Sequence, residues 1–189
     1  MMGIFRQLLI FSSVLFIGLS CSGVPHIIVP TDPLTAEEHV KLGTIYDGEG
    51  LTEEARRQFQ AALHQQTDHP GALIGLGNLS FQEHDYKAAE ACYVRALGTA
   101  PGHPGASNNL AMIYLEQPNR LDEAERLARQ ALVKGGRLRP YILHTLAAVY
   151  IRQRRFEEAR VALSEAELLA TNGPLALTSQ IRQARETLP

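Results

Sequence analysis

One dipeptide recurs along this chain at a nearly constant interval. A leucine followed by glycine or alanine stands at Leu42–Gly43, Leu76–Gly77, Leu110–Ala111 and Leu146–Ala147, spaced 34, 34 and 36 residues apart. Three more columns keep the same register, one mostly tyrosine and two entirely alanine. They are Tyr46, Ser80, Tyr114 and Tyr150; Ala55, Ala89, Ala124 and Ala159; and Ala62, Ala96, Ala131 and Ala166. A period near 34 residues is typical of an array of small supersecondary units.

The columns have the spacing of α-helices that pack closely in pairs. Residues three and four apart share one face of a helix, so Leu76 and Leu79 form an apolar stripe beside the small Gly77. A very small residue lets a second helix approach, and the alanine columns supply the facing surface. One such hairpin buries too little apolar surface to offset the ordering entropy of about 1–2 kcal/mol per backbone residue. The hairpins must therefore stack, and four of them exceed the usual minimum of about three.

Capping signals predict where the helices begin and end. Thr35 and Glu38 have the spacing of a capping box. A first helical turn tolerates proline, and each later repeat starts with one. These residues are Pro70, Pro104 and Pro140. Gly135 and Gly136 predict a helix end before Arg137.

The last stretch of the chain, from Leu175 to Leu188, begins another unit in the same register. Gln180 stands where the earlier units have leucine, while Leu177, Ile181 and Ala184 share one apolar side. One apolar and one polar side are what a terminal cap of a repeat array requires. We therefore expect nine helices and no strands.

The pattern resembles the tetratricopeptide repeat, a helix-turn-helix unit of about 34 residues with a Trp-x2-Leu-Gly-x2-Tyr…Ala-x3-Phe…Pro signature. The second repeat matches best, at Leu76, Gly77, Ala89, Tyr93, Ala96 and Pro101. The chain departs from the signature in having no tryptophan and in keeping the terminal proline only at Pro101. The resemblance implies an all-α fold: a right-handed superhelical solenoid of four tetratricopeptide helix-turn-helix repeats plus a C-terminal capping helix.

The repeats and the N-terminal features described below divide the chain into three segments. We expect a signal peptide over residues 1–20, a lipidated and proline-rich tether over 21–34, and a tetratricopeptide repeat domain over 35–188. The repeats are placed near 36–69, 70–103, 104–139 and 140–173, with the capping helix over 174–188.

The resemblance also implies a binding surface. In the family, the first helix of each pair lines the concave side of the stack. The corresponding exposed places predict a peptide groove formed by Lys41, Thr44, Asn78, Asn108, Asn109, Met112, Tyr141, His144 and Thr145. Amides and a tyrosine can hydrogen-bond a protein or peptide ligand, although simple surface polarity is the alternative interpretation. Some members of the family bind C-terminal carboxylates through lysine, arginine and asparagine; only Lys41 and Asn109 match here, so that clamp is incomplete.

The N-terminus has the parts of a secretory signal. One cation, Arg6, precedes an apolar run of 12 residues that ends at Leu19. That run is shorter than the roughly 20 residues a membrane-spanning helix needs. Cys21 after this run and a small residue resembles the lipobox of bacterial lipoproteins, in which the cysteine is acylated. Ser22, not aspartate, follows, and in that family this favours the outer membrane.

Two alternatives to lipidation stay open. Gly18 and Ser20 also fit the small-x-small pattern of ordinary signal cleavage, which would release a soluble periplasmic protein. An uncleaved N-terminal anchor is the other. Fractionation of the cell envelope separates these possibilities.

The charge pattern argues against nucleic acid as a partner. The whole chain has a formal net charge of −2, whereas phosphate binding needs a clustered basic surface. Basic residues concentrate in one region only, and we expect them to form a solvated rim beside acidic neighbours such as Glu157 and Glu158. They are Arg137, Arg139, Arg152, Arg154 and Arg155.

Catalytic and metal-binding patterns are missing from the sequence. His64 and His69 lie five residues apart, and neither HExxH nor CxxC occurs. Acidic pairs such as Glu53–Glu54 fall in early helical turns, where carboxylates favour the positive end of the helix dipole. We therefore expect no catalytic residues, no metal and no cofactor, and the alternative of an enzyme with an unrecognised groove site is the weaker hypothesis.

The predicted export signal and the predicted repeat array together suggest a non-catalytic scaffold or assembly factor. It would be anchored to the outer membrane through Cys21, face the periplasm, and hold a protein or peptide in its concave groove. This plan of a lipobox followed by repeats resembles that of the pilotin lipoproteins.

Overall fold

A computed structural model of the chain describes residues 32–170 and 175–189. The predicted signal peptide, Cys21 and all but the last three residues of the predicted tether lie outside the described residues. Over the described ranges, the backbone forms nine α-helices and no strand. None of these helices has the length and apolar character needed to cross a membrane.

The helices follow one another as antiparallel pairs. Their bounds are α1 Ala36–Gly48, α2 Thr52–Gln65, α3 Pro70–Gln82, α4 Tyr86–Thr99, α5 Pro104–Leu115, α6 Leu121–Val133, α7 Arg139–Arg152, α8 Phe156–Leu169 and α9 Leu175–Glu186. Short 3-10 turns at Pro118–Arg120 and Gly136–Leu138 precede α6 and α7. Each odd-numbered helix from α1 to α7 packs against the next helix, successive pairs stack, and α9 packs on α8. This is the all-α helical array that the columns predict.

The first helix is capped as its sequence predicts. The backbone N–H of Glu38 donates to Oγ1 of Thr35 at 3.3 Å, and the backbone N–H of Thr35 donates to Oε2 of Glu38 at 2.8 Å. These two bonds are the capping box. Pro70 and Pro104 are the first residues of α3 and α5, and Pro140 is the second residue of α7.

Three of the four hairpins turn through the same backbone motif. Gly50, His84 and Arg154 have φ values of 77°, 62° and 60° and stand at the same place of their repeats. The N–H of the following residue donates to the carbonyl of the tyrosine-column residue, at 2.8 Å to Tyr46, 2.9 Å to Ser80 and 2.9 Å to Tyr150. Each bond runs from an N–H to the carbonyl five residues earlier. It satisfies a carbonyl at the end of the first helix, as in a Schellman motif. The third hairpin instead uses the 3-10 turn, which accommodates its extra residue.

Aromatic rings lie against the two glycines of the small-residue column, Gly43 and Gly77, and leave no room for a Cβ there. A Cβ added at Gly43 would come within 2.7 Å of the Phe59 ring, and one at Gly77 would come within 2.6 Å of Tyr93. Gly75 of the next hairpin meets the same ring, since its Cβ would lie 2.4 Å from Cζ of Phe59. Phe59 is only 2% exposed. Its ring is therefore wedged between its own hairpin and the next one.

Charged side chains connect neighbouring hairpins at equivalent places. Glu90 on α4 accepts from Arg120 at 2.7 Å, and Glu125 on α6 accepts from Arg155 at 2.5 Å. Each arginine also lies over the tyrosine of its own hairpin: the Arg120 guanidinium is 3.3 Å from the centroid of the Tyr114 ring, and that of Arg155 is 4.4 Å from the Tyr150 ring. Such stacking adds a cation–π attraction to the ion pair.

The junction between the first two hairpins has the opposite polarity. Arg56 follows the first alanine column, as Glu90 and Glu125 do, and it donates to Glu83 of the second hairpin at 2.5 Å. The cation here lies on the earlier hairpin and the carboxylate on the later one. The residue after the first alanine column thus carries a charge of either sign, and the place of its partner differs: Glu83 is three residues after Ser80 of the tyrosine column, whereas Arg155 is five residues after Tyr150.

Candidate functional site

The first helices of the pairs line a cavity of about 690 Å³ together with the last helix. Its walls come from α3, α5, α7 and α9. Seven of the nine predicted groove residues line it: Asn78, Asn108, Asn109, Met112, Tyr141, His144 and Thr145. We call this space the amide cavity, because three asparagines form much of its polar wall.

Lys41 and Thr44, the two predicted groove residues on α1, do not line this cavity. Thr44 bonds its own helix, since Oγ1 donates to the carbonyl of Val40 at 2.8 Å. The ammonium of Lys41 lies 3.9 Å from Glu37, one turn away, and both side chains are well exposed. The structure thus brings together the predicted residues of the second to fourth hairpins and leaves those of the first apart.

The sequence analysis missed several residues of the amide cavity. Ile74, His103, Leu138, Leu177 and Gln180 also line it. Leu177 and Gln180 belong to α9, which we predicted only as a cap. The exposed polar Gln180 in the leucine column was a signal that this helix turns a polar side to the groove.

A second cavity, of about 490 Å³, shares Met112, His144 and Thr145 with the first. Its remaining walls are mostly apolar, and we call it the apolar cavity. They are Phe81, Tyr86, Ile113, Leu115, Glu116, Gln117 and Ala148. The two cavities are therefore adjacent, and we call the pair the groove.

A hydrogen-bond network fixes two asparagines of the amide cavity. The hydroxyl of Tyr93 donates to Oδ1 of Asn78 at 2.9 Å, and Nδ2 of Asn109 donates to the same oxygen at 3.0 Å. Asn109 Nδ2 also lies 3.3 Å from the Tyr93 hydroxyl oxygen. Burial raises the pKa of Tyr93 to about 12, so the hydroxyl keeps its proton as a donor. Because Tyr93 lies on α4, the second helix of the pair orients residues on the first helices of two hairpins.

Asn108 is held less completely. Its Nδ2 donates to Oδ1 of Asn109 at 3.4 Å and to the sulfur of Met112 at 3.7 Å. Its Oδ1 is buried and has no hydrogen-bond partner in the described part of the protein. A buried acceptor without a partner carries a desolvation cost, so Asn108 is a polar group with unused capacity at the groove wall.

Two histidines of the amide cavity have lowered basicity. Burial lowers the pKa of both His103 and His144. Nδ1 of His103 accepts the backbone N–H of Ala106 at 3.3 Å and so caps α5. An imidazole that accepts at one nitrogen is neutral, which agrees with the lowered pKa.

Charge is scarce in the groove. Among the residues that line either cavity, Glu116 is the only acidic or basic side chain apart from the two histidines. Its carboxylate lies 3.6 Å from Arg152. The groove therefore presents mainly amide, aromatic and apolar groups to a ligand, and few charged side chains.

The basic concentration seen in the sequence is largely paired with carboxylates. Arg139 donates to Glu165 at 2.6 Å, Arg155 contacts Glu125 and Glu158, and Arg152 lies near Glu116. Arg137 and Arg154 are exposed. Over residues 32–170 and 175–189, no three His, Cys, Asp or Glu side chains are grouped as a metal site would need.

The similarity of this chain to known proteins agrees with this helical array. Two family models, both described as tetratricopeptide repeat, match residues 40–104 and 80–136. This chain belongs to the tetratricopeptide repeat family. Tetratricopeptide repeats generally bind protein or peptide partners, so the chain is a protein–protein interaction scaffold.

One curated tetratricopeptide relative is the protein O-mannosyl-transferase Tmtc3 of Drosophila melanogaster. It is 33% identical over 51% of this chain, but the match spans only 12% of that protein. The similarity therefore concerns a small part of a much longer molecule.

Solved structures with a similar fold include three tetratricopeptide-like arrays. PilF of Pseudomonas aeruginosa has a TM-score of 0.68 at 20% identity, covering 79% of this chain and 67% of that one. The APC/C hetero-tetramer Cut9–Hcn1 gives 0.67 at 18% identity, covering 79% and 30%. MamA from Desulfovibrio magneticus RS-1 gives 0.61 at 16% identity, covering 80% and 88%. At these identities the likeness shows the fold alone, and it confirms the predicted all-α superhelical array.

Proposed function

We propose that this protein is a non-catalytic scaffold or assembly factor, anchored to the outer membrane through an acylated Cys21 and facing the periplasm. The observation that carries the proposal is the order of parts along the chain. An apolar run ends just before Cys21, a proline-rich segment follows, and the repeat array begins at α1. A lipid on Cys21 would hold the array near a membrane, because each buried methylene contributes about 0.8 kcal/mol to anchoring.

The groove is the surface proposed to hold the partner. It combines about 490 Å³ of mostly apolar space with a larger cavity walled by amides. Concave sites of this kind bury apolar groups and use a few polar groups for orientation. Similarity of plan to the pilotin lipoproteins supports a role in assembling other envelope proteins.

Replacing Cys21 by alanine tests the anchor. Cells that express the wild-type chain and are fed radiolabelled palmitate are expected to yield a labelled protein, and Cys21→Ala is expected to remove the label. Cys92→Ala is the matched control, because Cys92 lies within α4 and should not affect labelling. Labelling that survives Cys21→Ala contradicts acylation there. An unlabelled wild-type protein in the soluble periplasmic fraction supports the alternative of a soluble adaptor.

A photo-crosslinking amino acid at Tyr141 tests the groove. Tyr141 is 39% exposed and lines the amide cavity, so a bound partner is expected to be captured there in the native envelope. Val161 on α8 is 68% exposed and lines neither cavity, and the same probe at that position is the control. The readout is a shifted band in denaturing gels, identified by mass spectrometry. Equal capture at both positions, or none at Tyr141, would rule out the groove as the binding surface.

A further inference from the structure

Two amide groups on the groove wall have unused hydrogen-bonding capacity of opposite kind. Oδ1 of Asn108 is a buried acceptor without a partner in the described residues, and the side chain as a whole is only 8% exposed. Asn78 uses its Oδ1 to accept from Tyr93 and Asn109. The orientation set by those two bonds leaves the Nδ2 of Asn78 as a donor on the wall of the same cavity. One N–H donor and one C=O acceptor are the groups that a peptide unit of an extended chain presents.

Met112 contacts the Asn108 amide through its sulfur. Its sulfur accepts from Nδ2 of Asn108 at 3.7 Å, and a thioether is a weak acceptor. Met112 is 37% exposed and lies where the two cavities meet. An unbranched thioether chain changes rotamer readily, so its displacement by a stronger partner costs little.

The neighbouring apolar cavity has room for a bulky side chain and a mostly apolar wall. Phe81, Tyr86, Ile113 and Ala148 form much of its wall. The only carboxylate there belongs to Glu116, which already faces Arg152. An acidic or basic side chain entering this space would lose hydration without gaining a counter-charge.

We propose that the groove selects an uncharged, apolar segment of a partner protein, bound in an extended conformation. Its main chain bonds to Asn78 and Asn108 after Met112 moves aside, and a large apolar side chain fills the apolar cavity. This inference rests on the proposed function, since it presumes that the partner is a protein bound in the groove, and it adds the chemistry of the segment.

A peptide array supplies the first test. Short synthetic peptides are printed in three matched sets: uncharged apolar sequences, the same sequences with scattered aspartate and glutamate, and the same with lysine and arginine. The full-length chain, purified in detergent, is expected to bind the uncharged set at least about tenfold more strongly than either charged set. Ala148→Glu places a carboxylate in the apolar cavity and should lower that binding about tenfold or more. Val161→Glu, which adds the same charge outside both cavities, should leave it unchanged.

Methionine labelling supplies the second test. The chain has three methionines, and Met1 and Met2 lie within the predicted signal peptide, so Met112 supplies the signal of the processed protein when the methionine methyl groups carry ¹³C. A peptide from the uncharged set that binds on the array is expected to shift the Met112 methyl resonance, and a peptide from either charged set is expected to leave it unchanged. Circular dichroism of each variant checks that the helices are intact.

The outcomes separate this inference from the function it rests on. Stronger binding of an acidic or basic set, binding without a Met112 shift, or no binding by any set overturns the proposed chemistry. If the photo-crosslinking residue at position 141 still captures a partner in the envelope, the scaffold function stands. Only the proposal that the bound segment is uncharged and apolar is then wrong. Loss of Tyr141 crosslinking contradicts both.

Discussion

Replacing Gly75 by alanine is expected to lower the free energy of unfolding by about 2 kcal/mol. The added Cβ would lie 2.4–2.6 Å from three atoms of the Phe59 ring. That ring has little room to move, because Gly43 also lies against it and Phe59 is 2% exposed. Overpacking of a closed core costs about 1–3 kcal/mol and occasionally more, and the better helix propensity of alanine returns at most about 1 kcal/mol.

Gly98→Ala is the matched control for this change. Gly98 also lies inside a helix, α4, and a Cβ there would meet nothing within 4 Å. Only the propensity difference acts, so this variant is expected to be more stable than the wild type by up to about 1 kcal/mol. Urea unfolding followed by circular dichroism measures both. If the two variants shift the midpoint in the same direction, Phe59 is not wedged between hairpins as described.

Reversing the charge at Glu125 is expected to lower the free energy of unfolding by about 2–4 kcal/mol. Glu125 is 16% exposed and accepts from Arg155 at 2.5 Å and from Arg129 at 2.9 Å. Glu125→Arg would bring three guanidinium groups together at the junction of the last two hairpins. Removing one partner of a largely buried ion pair leaves the other charge uncompensated, which is the costly case.

A second substitution tests whether the pair itself is responsible. Arg155→Glu in the Glu125→Arg background restores opposite charges with the polarity of the Arg56–Glu83 junction, and it is expected to recover about half of the loss. Recovery stays incomplete because Arg155 also contacts Glu158 and the ring of Tyr150. A double variant no more stable than Glu125→Arg would mean that the cost comes from packing and not from charge.

The same pair predicts a dependence on pH. Burial raises the pKa of Glu125, but hydrogen bonds from Arg155, Gln153 and Arg129 outweigh it and hold the pKa below the ordinary glutamate value of 4.5. A lowered folded-state pKa contributes stability above the unfolded pKa, and that contribution is lost as pH falls through the folded pKa. The stability difference between wild type and Glu125→Arg should therefore be largest near neutral pH and shrink below pH 4.5.

The fold could be predicted because its determinants recur. Leucine with a small neighbour, tyrosine and alanine repeat at one interval, and the structure shows what several of these residues do: Gly43 and Gly77 admit aromatic rings, and the rings of Tyr114 and Tyr150 lie under arginine guanidinium groups. Periodicity alone identifies such positions, because every hairpin packs against its neighbours in the same way.

The candidate groove was predicted less completely, for physical reasons. The amide cavity forms where four helices from different parts of the array, α3, α5, α7 and α9, lie side by side. The repeating columns do not show which residues of these helices line the same cavity. Lys41 and Thr44 have the right place in their repeat but lie on α1, away from the cavity, while Gln180 belongs to the final helix. The buried acceptor of Asn108 is equally invisible in the sequence, because it depends on which neighbours fail to donate to it.

The polarity of the first junction, opposite to that of the other two, limits which hairpins can be neighbours. The first hairpin presents a guanidinium at Arg56, which pairs with Glu83 of the second hairpin. The third and fourth hairpins present guanidinium groups, Arg120 and Arg155, to the hairpin before them, so the third hairpin directly after the first would bring two cations together. A duplicated second hairpin would likewise set Glu90 of one copy against Glu83 of the next. Like charges at close range repel, so placing the third hairpin directly after the first, or duplicating the second, would be penalised, and the charges at the junctions favour the present order of the first three hairpins.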